Sequence, residues 1–206
     1  MSFNSKNPTA LFFDRMARAK AGAPGTLVSL MTNFFKANYG LSDLPKTAAD
    51  FVLYDQLAVV GLTSANFFTG AYSTTRSNFP GSFVLPQGEH AIITGLRVAY
   101  GASATVAATD WQPGVSDALT KQGLMTISIN GQVVTTQLPL TVFDNNALAA
   151  TIQGSTDATR GYFFFYEPLV LLGQQQISCN ITWGTAPSTA NSNLRVELHG
   201  VRFIGN

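Results

Sequence analysis

The side chains that can act as acids, bases, nucleophiles or metal ligands are few in this chain and widely separated. It has two histidines, His90 beside Glu89 and His199 two residues after Glu197. Residues two apart on a β-strand face the same side, so Glu197 and His199 could bind one ligand together. A metal site needs further ligands of the same kind, and the sequence offers none nearby. We therefore expect this pair on a polar outer strand face and expect no metal site.

Nucleophilic catalysis is also not expected. Cys179, the single cysteine, is two residues from both Ile177 and Ile181, which places the three side chains on the same, buried face of a predicted strand. A free cysteine in such a position behaves as a small apolar side chain. The chain contains neither the G-x-S-x-G sequence of hydrolases nor the glycine-rich phosphate loops. We expect no cofactor.

Paired carboxylates of the glycosidase type would have to come from Asp110, Asp117, Asp144, Asp157 and Glu167. All but Glu167 lie in predicted loops, where aspartate commonly caps turns. The sequence therefore predicts a protein that is not an enzyme.

The composition favours a structural role. Charged residues make up 11% of the 206 residues, whereas hydrophobic residues make up 46% and include fifteen phenylalanines. Soluble domains average roughly 25% charged residues. The net charge of +1 argues against a nucleic-acid-binding protein, so we expect no sequence-specific nucleic acid partner. A surface of small and uncharged polar residues suits contact between copies of the same chain.

Residues 1–46 are predicted to form an N-terminal α-helical arm. Asn7 and Pro8 are typical of a helix start, and a second helix is expected from about Thr26 to a stop at Gly40. The apolar faces of these helices are our candidate assembly interface, formed by Phe12, Phe13, Met16, Leu30, Met31, Phe34 and Phe35. Alternatively, the helices could contact an internal membrane through their apolar faces.

Residues 47–206 are predicted to form one β domain. Expected strands are 51–60, 65–70, 91–100, 122–129, 132–139, 161–171, 176–183 and 193–204. The first could instead be a third helix, because Thr47 to Val60 also fits helical periodicity. Asn130-Gly131 predicts a type I′ hairpin, and Gly200 predicts a bulge in the last strand. The fold class is therefore mainly β, an eight-stranded jelly-roll sandwich with an N-terminal α-helical arm.

The aromatic run from Tyr162 to Tyr166 has two interpretations. It could form a ligand platform, or it could be a strand with one face in the core and the other against a neighbouring subunit. We favour the second interpretation.

Three short motifs follow one another in the middle of the chain. They are Asn78-Phe79-Pro80-Gly81, Leu85-Pro86-Gln87-Gly88 and Ile92-Ile93-Thr94-Gly95-Leu96-Arg97-Val98, with Asn66-Phe67-Phe68 upstream. Together they resemble a segment of the jelly-roll capsid proteins of tailless bacteriophages. The resemblance implies a virion protein, assembled in the host cytoplasm. Its partners would be copies of itself, in an icosahedral shell, and other capsid proteins.

A second function stays open at this point. A carbohydrate- or receptor-binding jelly-roll module, such as a virion spike or vertex protein, would need exposed aromatic side chains in its loops. Trp111, Tyr100 and Tyr72 are the candidates for stacking on sugars.

Overall fold

The computed structural model describes residues 36–40, 47–71, 73–79, 83–115, 117–135, 137–143 and 161–204. Within these ranges the chain forms ten β-strands and three short 3-10 turns. The strands are β1 (Thr47–Ala58), β2 (Ser64–Phe67), β3 (Glu89–Ala102), β4 (Gln112–Pro113), β5 (Leu124–Ile129), β6 (Gln132–Val133), β7 (Leu138–Pro139), β8 (Tyr162–Leu171), β9 (Ile177–Thr182) and β10 (Ser192–Ile204). The 3-10 turns are Val106–Ala108, Thr120–Gln122 and Leu140–Phe143.

The described strands form two five-stranded antiparallel sheets. In the first sheet the order is β1-β10-β3, and both β4 and β8 pair with the far side of β3. In the second sheet the order is β2-β9-β5, and β6 and β7 pair with successive parts of β5. The fold is therefore mainly β, with two sheets and little helix, as in a β-sandwich.

The alternative of a third helix over Thr47 to Val60 is wrong. β1 pairs with β10 along its whole length, from Thr47 opposite Ile204 to Ala58 opposite Asn193. The two-residue period explains this outcome, because Leu53 lies in the core while the neighbouring Val52 is exposed.

The predicted hairpin at Asn130-Gly131 is confirmed, since both residues have positive φ angles, 49° and 77°, as a type I′ turn requires. The single strand predicted over 132–139 is wrong. It is broken into β6 and β7, because the amides of Val134 and Thr135 both donate to the Ile127 carbonyl. The Thr135 hydroxyl in turn accepts the Ile127 N–H at 3.0 Å. Val134 and Thr135 therefore both lie opposite Ile127, and the ladder is interrupted.

The predicted bulge in the last strand is also confirmed. The register between β10 and β3 shifts between His199 and Gly200. A Cβ atom on Gly200 would collide with the Ile92 carbonyl oxygen, so this close backbone approach requires glycine.

Little of the predicted arm lies in the described ranges. Residues 36–39 are helical, and Gly40 follows with φ 63°, which confirms the expected helix stop. Residues 1–35 and 41–46 lie outside the described residues, so the boundary between arm and domain stays a prediction. In the part of the chain that the structure describes, no helix has the length and apolarity to span a membrane.

The core between the sheets is rich in aromatic side chains. Phe68, Phe79 and Phe83 pack on one another with ring centroids 5.9–6.4 Å apart. Cys179 is buried in the same core, and burial raises the pKa of its thiol. Its predicted role as apolar packing is confirmed.

Candidate assembly surface

The outer face of the first sheet carries two regular rows of side chains across four strands. The register places Tyr54 of β1 opposite Glu197 of β10, Glu197 opposite Arg97 of β3, and Arg97 opposite Tyr162 of β8. The adjacent row contains Val52, His199, Gly95 and Phe164 in the same strand order. Side chains two residues apart on a strand lie on the same face. The polar side chains of β10 and the aromatic side chains of β8 therefore lie together on this surface.

Glu197 is the centre of this face, with a side chain only 7% exposed. Its carboxylate lies 3.3 Å from Arg97 Nη1, 3.0 Å from Arg195 Nε and 3.0 Å from His199 Nε2. Burial alone would raise the pKa of Glu197, but the hydrogen bond from His199 and the two guanidinium groups outweigh it and lower the pKa. The carboxylate is therefore held in its ionised form.

Aromatic rings support the charged groups from both sides. The Arg195 guanidinium lies 3.8 Å from the centre of the Tyr54 ring, and that of Arg97 lies 5.6 Å from the Tyr162 ring. The Tyr162 hydroxyl is 3.1 Å from His199 Nδ1, and burial raises the pKa of Tyr162. These cation–π contacts fix the arginines on the sheet.

A break in β8 projects aromatic side chains from this face. Phe164 pairs with Gly95 and Leu169 pairs with Ile93, so five residue steps on β8 match two on β3. Residues 165–168 lie opposite a single residue of β3, bulge out of the ladder and include Tyr166, which is 80% exposed. Phe164, which is 41% exposed, lies over the space left by Gly95, where a Cβ would approach the ring to 3.2 Å. Bulges of this kind re-aim side chains at functional surfaces.

Among the described residues, the aromatic run of β8 is thus packed against the core on one face only. Phe163 and Phe165 pack against the core, whereas Phe164 and Tyr166 are exposed. Burial of the second face against a neighbouring subunit stays a prediction.

A second buried carboxylate, Asp55, faces the interior from β1. Arg76 binds it through two parallel contacts of 2.8 and 2.7 Å, and the Phe68 amide donates to it at 2.6 Å. Asn78 completes the attachment, since its side chain accepts the Tyr54 N–H and donates to the Val52 carbonyl. Phe68 and Asn78, which belong to two of the motifs noted in the sequence, are therefore both bound to β1.

The other candidate residues do not converge. His90 is buried and its Nδ1 accepts the Gly173 N–H. Asp110 accepts a hydrogen bond from Gln112, Asp117 caps the turn at Thr120, and Glu167 is exposed in the β8 bulge. In the described ranges no group of three or more histidine, cysteine, aspartate or glutamate side chains could hold a metal ion. Asp144 and Asp157 lie outside the described residues.

The predicted interface residues also lie outside the described residues, and they are Phe12, Phe13, Met16, Leu30, Met31, Phe34 and Phe35. Among the residues proposed to stack on sugars if exposed, Tyr100 is buried in β3 and contacts Ser192 Oγ at 3.2 Å, so it does not meet that condition. Trp111 is half-buried, and Tyr72 is not described.

Sequence reasoning missed Asp55, Arg195 and Arg97 as members of buried charge networks. A signal existed for the first, because Asp55 falls in phase with Leu53 and Leu57 on the apolar face of its strand. A charge at such a position requires a partner. Arg195 lies on the same strand face as Glu197 and His199, since the three are spaced by two residues. Only the register of the folded sheet shows that Arg97 joins them.

Comparison with known proteins gives few matches. No protein-family model and no curated protein matches the chain. The chain is similar to a solved structure described as the acidic stable capsid structure of Helicobacter pylori bacteriophage KHP30, with 9% sequence identity, covering 78% of this chain and 94% of that chain. The TM-score of that match is 0.33, which is too low to establish a common fold.

Proposed function

We propose that this protein is a structural virion protein, a capsid subunit that assembles with copies of itself into an icosahedral shell. The strand order is the observation that carries the proposal. When β6 and β7 are counted as one interrupted strand and the two-residue β4 is set aside, each sheet has four strands, in the orders β1-β10-β3-β8 and β2-β9-β5-β6/β7. Two four-stranded sheets in this arrangement agree with an eight-stranded jelly roll, an architecture of viral capsid proteins.

The segment that resembles capsid proteins of tailless bacteriophages supports the same function. Its residues Phe67, Phe68 and Phe79 are fully buried, and Asn78 bonds to the edge of β1. The segment therefore has a structural role in closing one side of the sheet. A subunit built this way would function in the virion after assembly in the host cytoplasm, with copies of itself and other capsid proteins as partners.

Electron microscopy of the purified full-length protein, with sedimentation velocity over a range of concentrations, tests the proposal. We expect closed shells or discrete capsomers that grow with concentration. A monomer that stays dispersed at all concentrations, under conditions that preserve its folded state, would contradict the assignment.

The N-terminal arm is part of this proposal as an assembly element. Deleting residues 1–40 should abolish particles while the circular dichroism of the β domain is retained, because the arm's apolar residues would then be missing from contacts between subunits. Unchanged assembly of the deleted protein would show that the arm is not an interface.

One observation favours a second candidate function, a carbohydrate- or receptor-binding module of the virion. Tyr166 is 80% exposed on a sheet face, and exposed tyrosines can stack on sugars. A monomeric protein that binds a glycan array, and loses that binding when Tyr166 is replaced by alanine, would favour this function over the shell subunit.

A further inference from the structure

We infer that the outer face of the first sheet is a contact surface for a second copy of this chain. The surface, here called the aromatic face, consists of Tyr54, Arg97, Tyr162, Phe164, Tyr166 and Arg195. The inference rests on the proposed function and deepens it, because it identifies the surface through which subunits associate.

The residue types of the aromatic face are those of protein interfaces. Tyrosine, phenylalanine and arginine are enriched at the centres of interfaces, whereas lysine is depleted there. Tyr162 and Phe164 are stacked with ring centroids 5.6 Å apart, and both arginines lie over tyrosine rings. Side chains that are already ordered lose less conformational entropy when a partner covers them.

Covering this face would not separate Glu197 from its charged partners. Glu197 contacts Arg97, Arg195 and His199 inside the face. A buried charge is costly chiefly when it is unpaired. Each arginine would therefore be desolvated together with a carboxylate that it contacts.

The edges that β1 and β8 form in the first sheet are poorly suited to the alternative route, in which subunits join by adding strands. The β8 edge is interrupted by the bulge at 165–168 and contains Pro168, which has no N–H to donate. The β1 edge is already bonded at Val52 and Tyr54 by Asn78 and at Gln56 by the Arg76 carbonyl. Association through side chains on the sheet face is thus favoured over edge pairing.

Charge identifies a second copy as the occupant. In the described part of the chain, the formal charges of Arg97 and Arg195 are matched in number by two carboxylates: Glu197, which contacts both arginines, and Glu167, which is exposed in the neighbouring bulge. A balanced surface lacks the excess cations that nucleic acid phosphates or anionic lipids require. It matches instead a partner of low charge, and this chain has 11% charged residues and a net charge of +1.

The test compares two double variants of the full-length protein. Phe164→Ala with Tyr166→Ala removes exposed aromatic rings from the aromatic face. Val133→Ala with Val134→Ala removes exposed apolar groups from the second sheet, where Val133 is 63% exposed. Sedimentation velocity and electron microscopy give the concentration at which half of the subunits assemble, and thermal unfolding monitors the fold.

We expect this concentration to rise by about tenfold or more for the first variant, as for an interface hot spot, and to stay within about twofold for the second. Both should unfold at the wild-type temperature. Wild-type assembly of the first variant, or equal loss in both, overturns the inference while leaving the shell function standing. A wild-type protein that never self-associates refutes the proposed function itself. Binding of oligonucleotide or anionic vesicles that depends on Phe164 and Tyr166, with assembly unchanged, also overturns the inference.

Discussion

Asp55 and Glu197 are both buried carboxylates that bind arginine, yet they lie on opposite faces of the same sheet and have different partners. Asp55 is fully buried on the inner side, where it binds one guanidinium and the backbone amides of Gln56 and Phe68. Glu197 lies on the outer side and has three side-chain partners, which are themselves 21–26% exposed. Backbone partners fix a loop to the core, whereas side-chain partners organise a surface.

The two sets of partners imply different consequences when each carboxylate is removed. Removing Asp55 would weaken the attachment of Phe68 and Arg76 to β1, and Arg76 in turn bonds to the Asn66 carbonyl and places its guanidinium 5.4 Å from the Phe83 ring centre. Removing Glu197 would leave the backbone ladder intact and free only the side chains above it. The inner carboxylate should therefore contribute to the stability of the fold, and the outer one to the order of the aromatic face.

The largest effect should come from Asp55→Asn, which keeps the shape of the side chain and removes its charge. We expect the free energy of unfolding to fall by about 3–5 kcal/mol, because the Arg76 guanidinium would stay partly buried without its counter-charge. Chemical denaturation of the two proteins measures the difference. Asp50→Asn on the exposed part of the same strand is the matched control and should change stability by less than about 0.5 kcal/mol. A loss for Asp55→Asn no greater than the control's would erase the distinction between the two carboxylates.

Glu197→Gln should have a smaller effect, a loss of about 1–3 kcal/mol, because its cationic partners can turn toward solvent. Arg97 and Arg195 should also become more mobile, since each keeps only its aromatic contact. Chemical denaturation gives the stability, and side-chain order parameters of the arginines from NMR give the mobility. If Glu197→Gln were as destabilising as Asp55→Asn, the outer network would have to be counted as part of the core.

The contacts of Asp55 were less predictable from the sequence than the strands around them. Alternation of apolar and polar residues located β9 and β10 to within a few residues, because each of these strands has one face in the core. The turn at Asn130-Gly131 and the bulge at Gly200 were also predictable, since each needs a backbone conformation or approach that glycine permits. Asp55 and Arg76, by contrast, are 21 residues apart and are joined by a loop whose path no periodicity describes.

The outer face was predictable only in part for a related reason. Glu197 and His199 were correctly placed on one strand face, but their partners come from β3 and β8, and sheet register is set by the whole fold. The extrusion of residues 165–168 depends on the pairing of both halves of β8 with β3. Residues 132–139 likewise had the pattern of one strand, which is divided where the Thr135 hydroxyl accepts the Ile127 N–H.

The smallest expected effect is the pH dependence that Glu197 adds to stability. Its pKa is lower in the folded protein than the ordinary value of 4.5. The folded state therefore binds the proton less tightly than the unfolded state does. The resulting stabilisation is fully present above the unfolded-state pKa and is lost as the pH falls through the lower, folded-state value. The pKa of Asp117 is shifted in the same direction, because hydrogen bonds from Thr189 and Thr120 outweigh burial and lower it.

Unfolding free energies measured between pH 6 and pH 3 should consequently fall less steeply for Glu197→Gln than for the wild type. Asp117→Asn provides the comparison, since it removes a carboxylate whose pKa is also lowered but which lies in a turn outside the aromatic face. Assembly followed over the same range separates the two sites further: a surface organised by Glu197 should lose self-association as that carboxylate is protonated, whereas protonation of Asp117 should affect unfolding alone. Identical pH profiles of assembly in the Glu197→Gln and Asp117→Asn proteins would contradict a role for the Glu197 network in ordering the face.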